Sequence, residues 1–152
     1  ELGNHLESKL DIGVHKDLDI EQREYCFDIC FQDDGASLLM NTTEQILTEK
    51  LKSFLRFGAR STRYKDVFDI YFLSKEINYD LLMQCVNRYI FSDESLPVNT
   101  LQDISKRIER VFTNKTFITN LKQSEKNWLD VDDDAVLKNN INFVKSLAER
   151  AA

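Results

Sequence analysis

The chain has 152 residues, 42% hydrophobic and 30% charged, the make-up of one ordinary globular domain. At this size folding hides roughly 70% of the extended chain's surface, so neither disulfides nor a structural metal is needed to hold a core. A net charge of −6 and a pI near 5.0 exclude a broad basic surface for non-specific nucleic-acid binding, but leave room for a local basic pocket.

The chain opens on Glu1, and its charged start, ELGNHLESKLDIGV, reads as an interior stretch of a longer protein. No signal-peptide pattern opens this stretch, and no run in it approaches the ~20 apolar residues of a membrane span. Four glycines and one proline favour long helices over a turn-rich sandwich. The cysteines are odd in number (Cys26, Cys30, Cys85) and lack the second pair or histidine cluster of a zinc site. They are expected to be reduced and buried, which fits a cytoplasmic protein.

Strand character is confined to the first third. Lys9 to Val14 alternates, and Glu24 to Phe31 is rich in aromatic and β-branched residues. Asp33-Asp34-Gly35 signals a turn, followed by a brief strand over Ser37 to Met40. From Thr42 the period becomes helical. Thr42 and Gln45 make a capping-box pattern ahead of Ile46, Leu47, Leu51, Phe54 and Leu55, with Gly58 as the stop. A second helix is predicted over Arg63 to Glu76, capped by Ser61 or Thr62. A third starts at Asn78 and reaches Ile90. A fourth spans Leu101 to Phe112, and a fifth about Lys115 to Trp128. The sixth runs from Asp132-Asp133-Asp134, acidic residues suited to a helix N-terminus, to about Glu149. The segment LDVDDD lacks the glycine and the closing glutamate of a calcium loop and reads as a linker and cap. The expected fold class is α+β and mainly helical, with two or three strands followed by a bundle of about six helices.

Polar residues interrupt the apolar pattern at three places. Asp11 lies between Leu10 and Ile12, where a strand carboxylate points either into a metal site or into water. Lys50, after Glu49, shares a side with Leu47 and Phe54, so its ammonium either snorkels to solvent or meets a partner; facing a cleft, it would suit a triphosphate. Asp66 and Asp69 are three residues apart on one helix face and are placed to pair with Lys50, in a structural salt bridge or a functional one. A short link between the two helices brings the groups close. A lysine kept for function would be partly accessible and would cost less than ~1 kcal/mol of stability when removed.

The stretch ILTEKLKSFLRFGARSTRYKDVFDIYFLSK, with its Glu-Lys on one helix and Lys-Asp-x-x-Asp on the next, resembles the C-terminal signature of AbiEii/AbiGii-type abortive-infection toxins. The preceding KLDIGVHKDLD resembles that family's strand with a central aspartate. The resemblance covers about residues 8 to 76. It implies the C-terminal part of a nucleotidyltransferase domain of the DNA polymerase β type over residues 1–60 and a helical domain over 61–152. It implies transfer of a nucleoside monophosphate from a nucleoside triphosphate to an acceptor such as tRNA, with Mg²⁺ as cofactor and an antitoxin as a further partner. Carried over by residue, Asp11 is the strand-borne metal carboxylate, Lys50 the lysine on the nucleotide, and Asp66 and Asp69 the late acidic motif. Arg63 and Lys65 are supporting basic residues. The family's Gly-Gly/Ser motif and its early Asp-x-Asp pair do not accompany them, since Asp17-Leu18-Asp19 follows no such glycine motif. These 152 residues are therefore expected to be inactive alone. The competing reading is a non-enzymatic helical module that binds a partner such as an antitoxin.

Overall fold

The computed structural model describes residues 20–27 and 36–150. Two strands come first, β1 (Arg23–Phe27) and β2 (Ala36–Met40), paired antiparallel with Tyr25 opposite Leu38 and Glu24 opposite Leu39. Six helices follow: α1 (Thr43–Phe57), α2 (Tyr64–Leu73), α3 (Tyr79–Val86), α4 (Leu101–Phe112), α5 (Lys115–Gln123) and α6 (Asp133–Arg150). The architecture is the mainly helical α+β fold that the sequence pattern predicts. The strand expected over Lys9 to Val14, the far end of the strand expected to reach Phe31, and the Asp33-Asp34-Gly35 turn lie outside the described residues, as do Asp11 and Cys30.

Local chemistry sets the helix ends. Thr42 caps α1 by accepting from the Gln45 N–H. The reciprocal half of a capping box is absent: Gln45 Nε2 donates to the Tyr89 hydroxyl, and Gln45 Oε1, which would accept from the Thr42 N–H, makes no hydrogen bond. Gly58 ends α1 at φ 57° and opens a 3₁₀ turn, Gly58–Arg60. α2 runs Tyr64–Leu73, inside the expected Arg63 to Glu76, and neither Ser61 nor Thr62 occupies its cap position. Ser61 accepts from the N–H of Arg63, and Arg63 itself precedes the helix with no side-chain cap. Asn78 caps α3 through the N–H groups of Asp80 and Leu81, and α3 widens into a π-helical turn, Asn87–Phe91. α5 stops at Gln123, five residues short of Trp128. Ser124 bonds back to the Leu121 carbonyl, and Glu125 takes a left-handed φ of 53° that no helix continues.

One hydrophobic cluster links all six helices. Leu47, Leu51 and Phe54 of α1 meet Val67 and Ile70 of α2, Leu82 and Val86 of α3, and Ile104, Ile108 and Phe112 of α4. Phe54 packs edge-on against Phe112 and Phe117, with ring centroids 5.2 and 6.0 Å away. α6 closes the bundle against α4 and α2, where the buried Asn140 donates to the carbonyl of Val67 at 2.8 Å. The ribbon stands apart from this core. Tyr25, Leu38, Leu39 and Met40 are exposed, and Cys26 is exposed on β1, whereas Cys85 is buried. Burial was therefore the wrong expectation for Cys26: its strand, β1, contributes no residue to the helical core cluster among the described residues. Both cysteines are free thiols. No helix among the described residues is long and apolar enough to cross a membrane.

Candidate functional site

The site is built by the α1–α2 corner. α1 carries Leu47, Leu51 and Phe54 into the core and turns Lys50 toward α2 at the edge of that stripe. Residues 58–63 return the chain at once, so the first two turns of α2 bring Asp66 and Asp69 to the same level. The Lys50 Nζ stands 2.8 Å from Asp66 Oδ1 and 2.8 Å from Asp69 Oδ2. Arg63 Nε donates to the other oxygen of Asp66 at 2.7 Å, and Lys65 Nζ lies 3.6 Å from Asp69 Oδ2. The remaining oxygen, Asp69 Oδ1, accepts from the indole Nε1 of Trp128 at 2.9 Å.

Five of the six residues singled out in the sequence are thus brought together: Lys50, Arg63, Lys65, Asp66 and Asp69. The sixth, Asp11, lies outside the described residues. Trp128 was missed. It is the chain's single tryptophan, but its apolar spacing assigned it to the end of α5. Only the left-handed turn at Glu125 takes it off that helix and across to α2.

Lys50 is more enclosed than expected of an accessible lysine. Its side chain is 18% exposed, against 8% for Asp66 and 11% for Asp69, while Arg63 and Lys65 are mostly in solvent. Burial by itself lowers the lysine's pKa. The hydrogen bonds and charges of Asp66 and Asp69 outweigh burial, and the net shift is upward from 10.5. At neutral pH Lys50 is a fixed positive charge and cannot serve as a general base. Its open side faces a cavity of about 180 Å³, shared with Ile46, Glu49, Ser53, Arg63 and Asp66. The volume suits a phosphate or the end of a larger ligand, and is too small for a whole nucleotide.

The two carboxylates do not fit a Mg²⁺ site. All four of their oxygens already face an ammonium, a guanidinium or an indole N–H, and Mg²⁺ requires carboxylate oxygens free to bind it. No other cluster of three His, Cys, Asp or Glu side chains forms a metal site among the described residues. The chemistry available at this corner is electrostatic: a preorganised cation, held in place by two anions, with one face toward a polar cavity.

A sequence profile of nucleotidyl transferase AbiEii toxins of type IV toxin–antitoxin systems matches residues 4–138. The chain belongs to this family. No curated protein and no solved structure gives a significant match. The α1–α2 corner therefore sits in an AbiEii-family nucleotidyltransferase toxin, and the match runs well beyond the corner, through α5 and into α6.

Proposed function

We propose that Lys50 is the phosphate-binding lysine of this AbiEii-family transferase and that Asp66 and Asp69 are the residues that position it. The observation that carries this reading is the ammonium held at 2.8 Å from each of two carboxylates, with its remaining side open to the cavity it shares with Arg63. An ammonium is a compact point charge for a triphosphate, and fixing it in advance removes the cost of reorganising it during reaction. In the reaction an acceptor hydroxyl attacks the α-phosphorus of a nucleoside triphosphate. A new P–O bond forms, the α–β bridging bond breaks, pyrophosphate leaves, and the acceptor's proton passes to solvent. Lys50, with the more exposed Arg63 and Lys65, offsets charge growing on the phosphates. A tRNA end is the acceptor we favour, and an antitoxin is the protein partner that the type IV system implies.

Asp11 is retained as the metal carboxylate on the strength of the resemblance alone, and Mg²⁺ as the cation it would hold. In this reading the segments 1–60 and 61–152 meet at the lysine, with α1 supplying the cation and α2 its anchors.

The test is transfer of a labelled nucleoside monophosphate by the protein expressed from its complete gene. Lys50→Ala is expected to lower transfer at least ~100-fold, the effect of deleting one preorganised transition-state charge, and to abolish toxicity on induction. Transfer at wild-type rate by a folded Lys50→Ala protein rejects the assignment. The exposed Leu38, Leu39 and Met40 on the ribbon favour a second reading, a surface that binds another protein. That reading predicts that toxicity survives Lys50→Ala and is lost on replacing these apolar residues with serine.

A further inference from the structure

Trp128 is half-exposed, as is Phe72 one turn beyond Asp69 on α2, and the two rings pair with centroids 5.5 Å apart at 60°. Paired, the two rings make a continuous apolar patch on the surface of an acidic chain. Their placement is fixed. Asp69 binds the Trp128 indole through one oxygen and both Lys50 and Lys65 through the other, so ring and ammonium groups converge on one carboxylate. The segment carrying Trp128 is also constrained. Glu125 and Asp130 both adopt φ 53°, and the Asn127 side chain bonds the carbonyl of Val131 and the carboxylate of Asp133, closing the loop on itself. Left-handed backbone at two non-glycine residues is unfavourable, and the fold tolerates it while delivering the indole to α2.

At the corner beside the rings, Lys50, Arg63 and Lys65 are matched in number by Glu49, Asp66 and Asp69, and Arg63 and Lys65 keep most of their side chains in solvent. A flat apolar face beside two ammonium groups that share its anchoring carboxylate is complementary to a nucleotide, which joins a π-surface to phosphate. We infer that Trp128 and Phe72 form a stacking platform for the base of a nucleotide whose phosphates lie toward Lys50 and Lys65. This inference rests on the nucleotidyltransferase reading above and extends it to the recognition of the base. The base belongs either to the nucleoside triphosphate or to the acceptor strand.

Binding by the protein from its complete gene separates these sources. The ligands are each nucleoside triphosphate, inorganic triphosphate, and a short single-stranded RNA. Trp128→Ala is expected to weaken the base-bearing ligand roughly tenfold, the range for loss of one base–aromatic stack, and to leave inorganic triphosphate unchanged. Trp128→Phe keeps a ring while removing the N–H, so it should recover most of that affinity. Phe72→Ala, on an exposed side chain, serves as the second variant should Trp128→Ala unfold. Weakening confined to the triphosphates assigns the platform to the donor, and weakening confined to RNA assigns it to the acceptor. The platform is overturned if Trp128→Ala and Phe72→Ala bind triphosphates and RNA as tightly as the parent protein. It is also overturned if Trp128→Phe is as weak as Trp128→Ala, which would leave only the hydrogen bond to Asp69. Lys50-dependent binding that both aromatic variants retain would sink the platform and leave the lysine assignment standing, whereas no binding of any ligand would sink both.

Discussion

At the scale of single residues, Lys50 has two consequences that can be separated. Asp66 and Asp69 are 8% and 11% exposed, so deleting the ammonium leaves two enclosed carboxylates dependent on Arg63 and Lys65, whose solvent-exposed side chains offset that charge only weakly. We expect Lys50→Ala to cost about 1–3 kcal/mol in urea unfolding, above the limit of ~1 kcal/mol expected from the sequence for a partly accessible lysine kept for function, because Lys50 is more enclosed than that expectation assumed. The loss of stability and the loss of transfer come apart in the triple variant Lys50→Ala, Asp66→Asn, Asp69→Asn. Neutral amides of the same shape no longer repel each other, so stability should recover by more than half. Transfer should remain lost, since no cation faces the cavity. Recovery of transfer along with stability would make Lys50 a counter-ion for the two aspartates and nothing more.

At the scale of elements, the corner between α1 and α2 depends on Gly58. Its φ of 57° with ψ of −144° lies in a region open almost solely to glycine. A Cβ built there meets nothing within 4 Å, so backbone strain is the whole penalty. Gly58→Ala is expected to lower stability by ~1–3 kcal/mol, and Gly58→Asn to be no better. Asparagine is at ease in the left-handed helical region, where ψ is positive, and this residue is outside it. A neutral Gly58→Ala in thermal or urea unfolding would show that the turn relaxes without help from glycine. The same corner shows what the sequence could tell. The stripe of Leu47, Leu51 and Phe54 and the caps at Thr42 and Asn78 are local signals, and α1 and α4 begin and end where the sequence pattern places them. The pairing of Lys50 with Asp66 and Asp69 was legible too, because a short link leaves two adjacent helices little choice of neighbour. The end of α5 was not. Lys122 to Trp128 carries no glycine or proline to announce a stop, and the break occurs at Glu125 through a φ that glutamate rarely adopts. Trp128 consequently reaches Asp69 by a contact 59 residues distant in sequence, which no periodicity contains.

At the scale of the whole molecule, the helical bundle acquires a pH dependence from two groups in its first three helices. Cys85 is fully buried in α3, and burial, reinforced by the charge of Glu44, raises its thiol from 9.0 to about 11. Lys50 is raised from 10.5. For each group the folded protein holds its proton to higher pH than the unfolded chain does. The stability so contributed is complete below the unfolded pKa and is lost as pH rises through the folded one. For Cys85 that window runs from pH 9.0 to about 11, and for Lys50 it opens only above 10.5. Unfolding free energy should therefore hold steady from pH 7 to 8.5 and then fall by on the order of 2 kcal/mol by pH 11 through Cys85, because a tenfold difference in proton affinity between the two states is worth about 1.4 kcal/mol. Cys85→Ala removes this titration. Its absolute stability will be lower at every pH because a buried side chain has been trimmed, so the informative quantity is the slope between pH 9 and 10, where Lys50 is still mostly protonated in both states. Urea titrations at half-unit intervals in reducing buffer measure it. A flatter slope in Cys85→Ala than in the parent protein is the expected result, and equal slopes would mean that the thiol ionises inside the bundle as readily as in water.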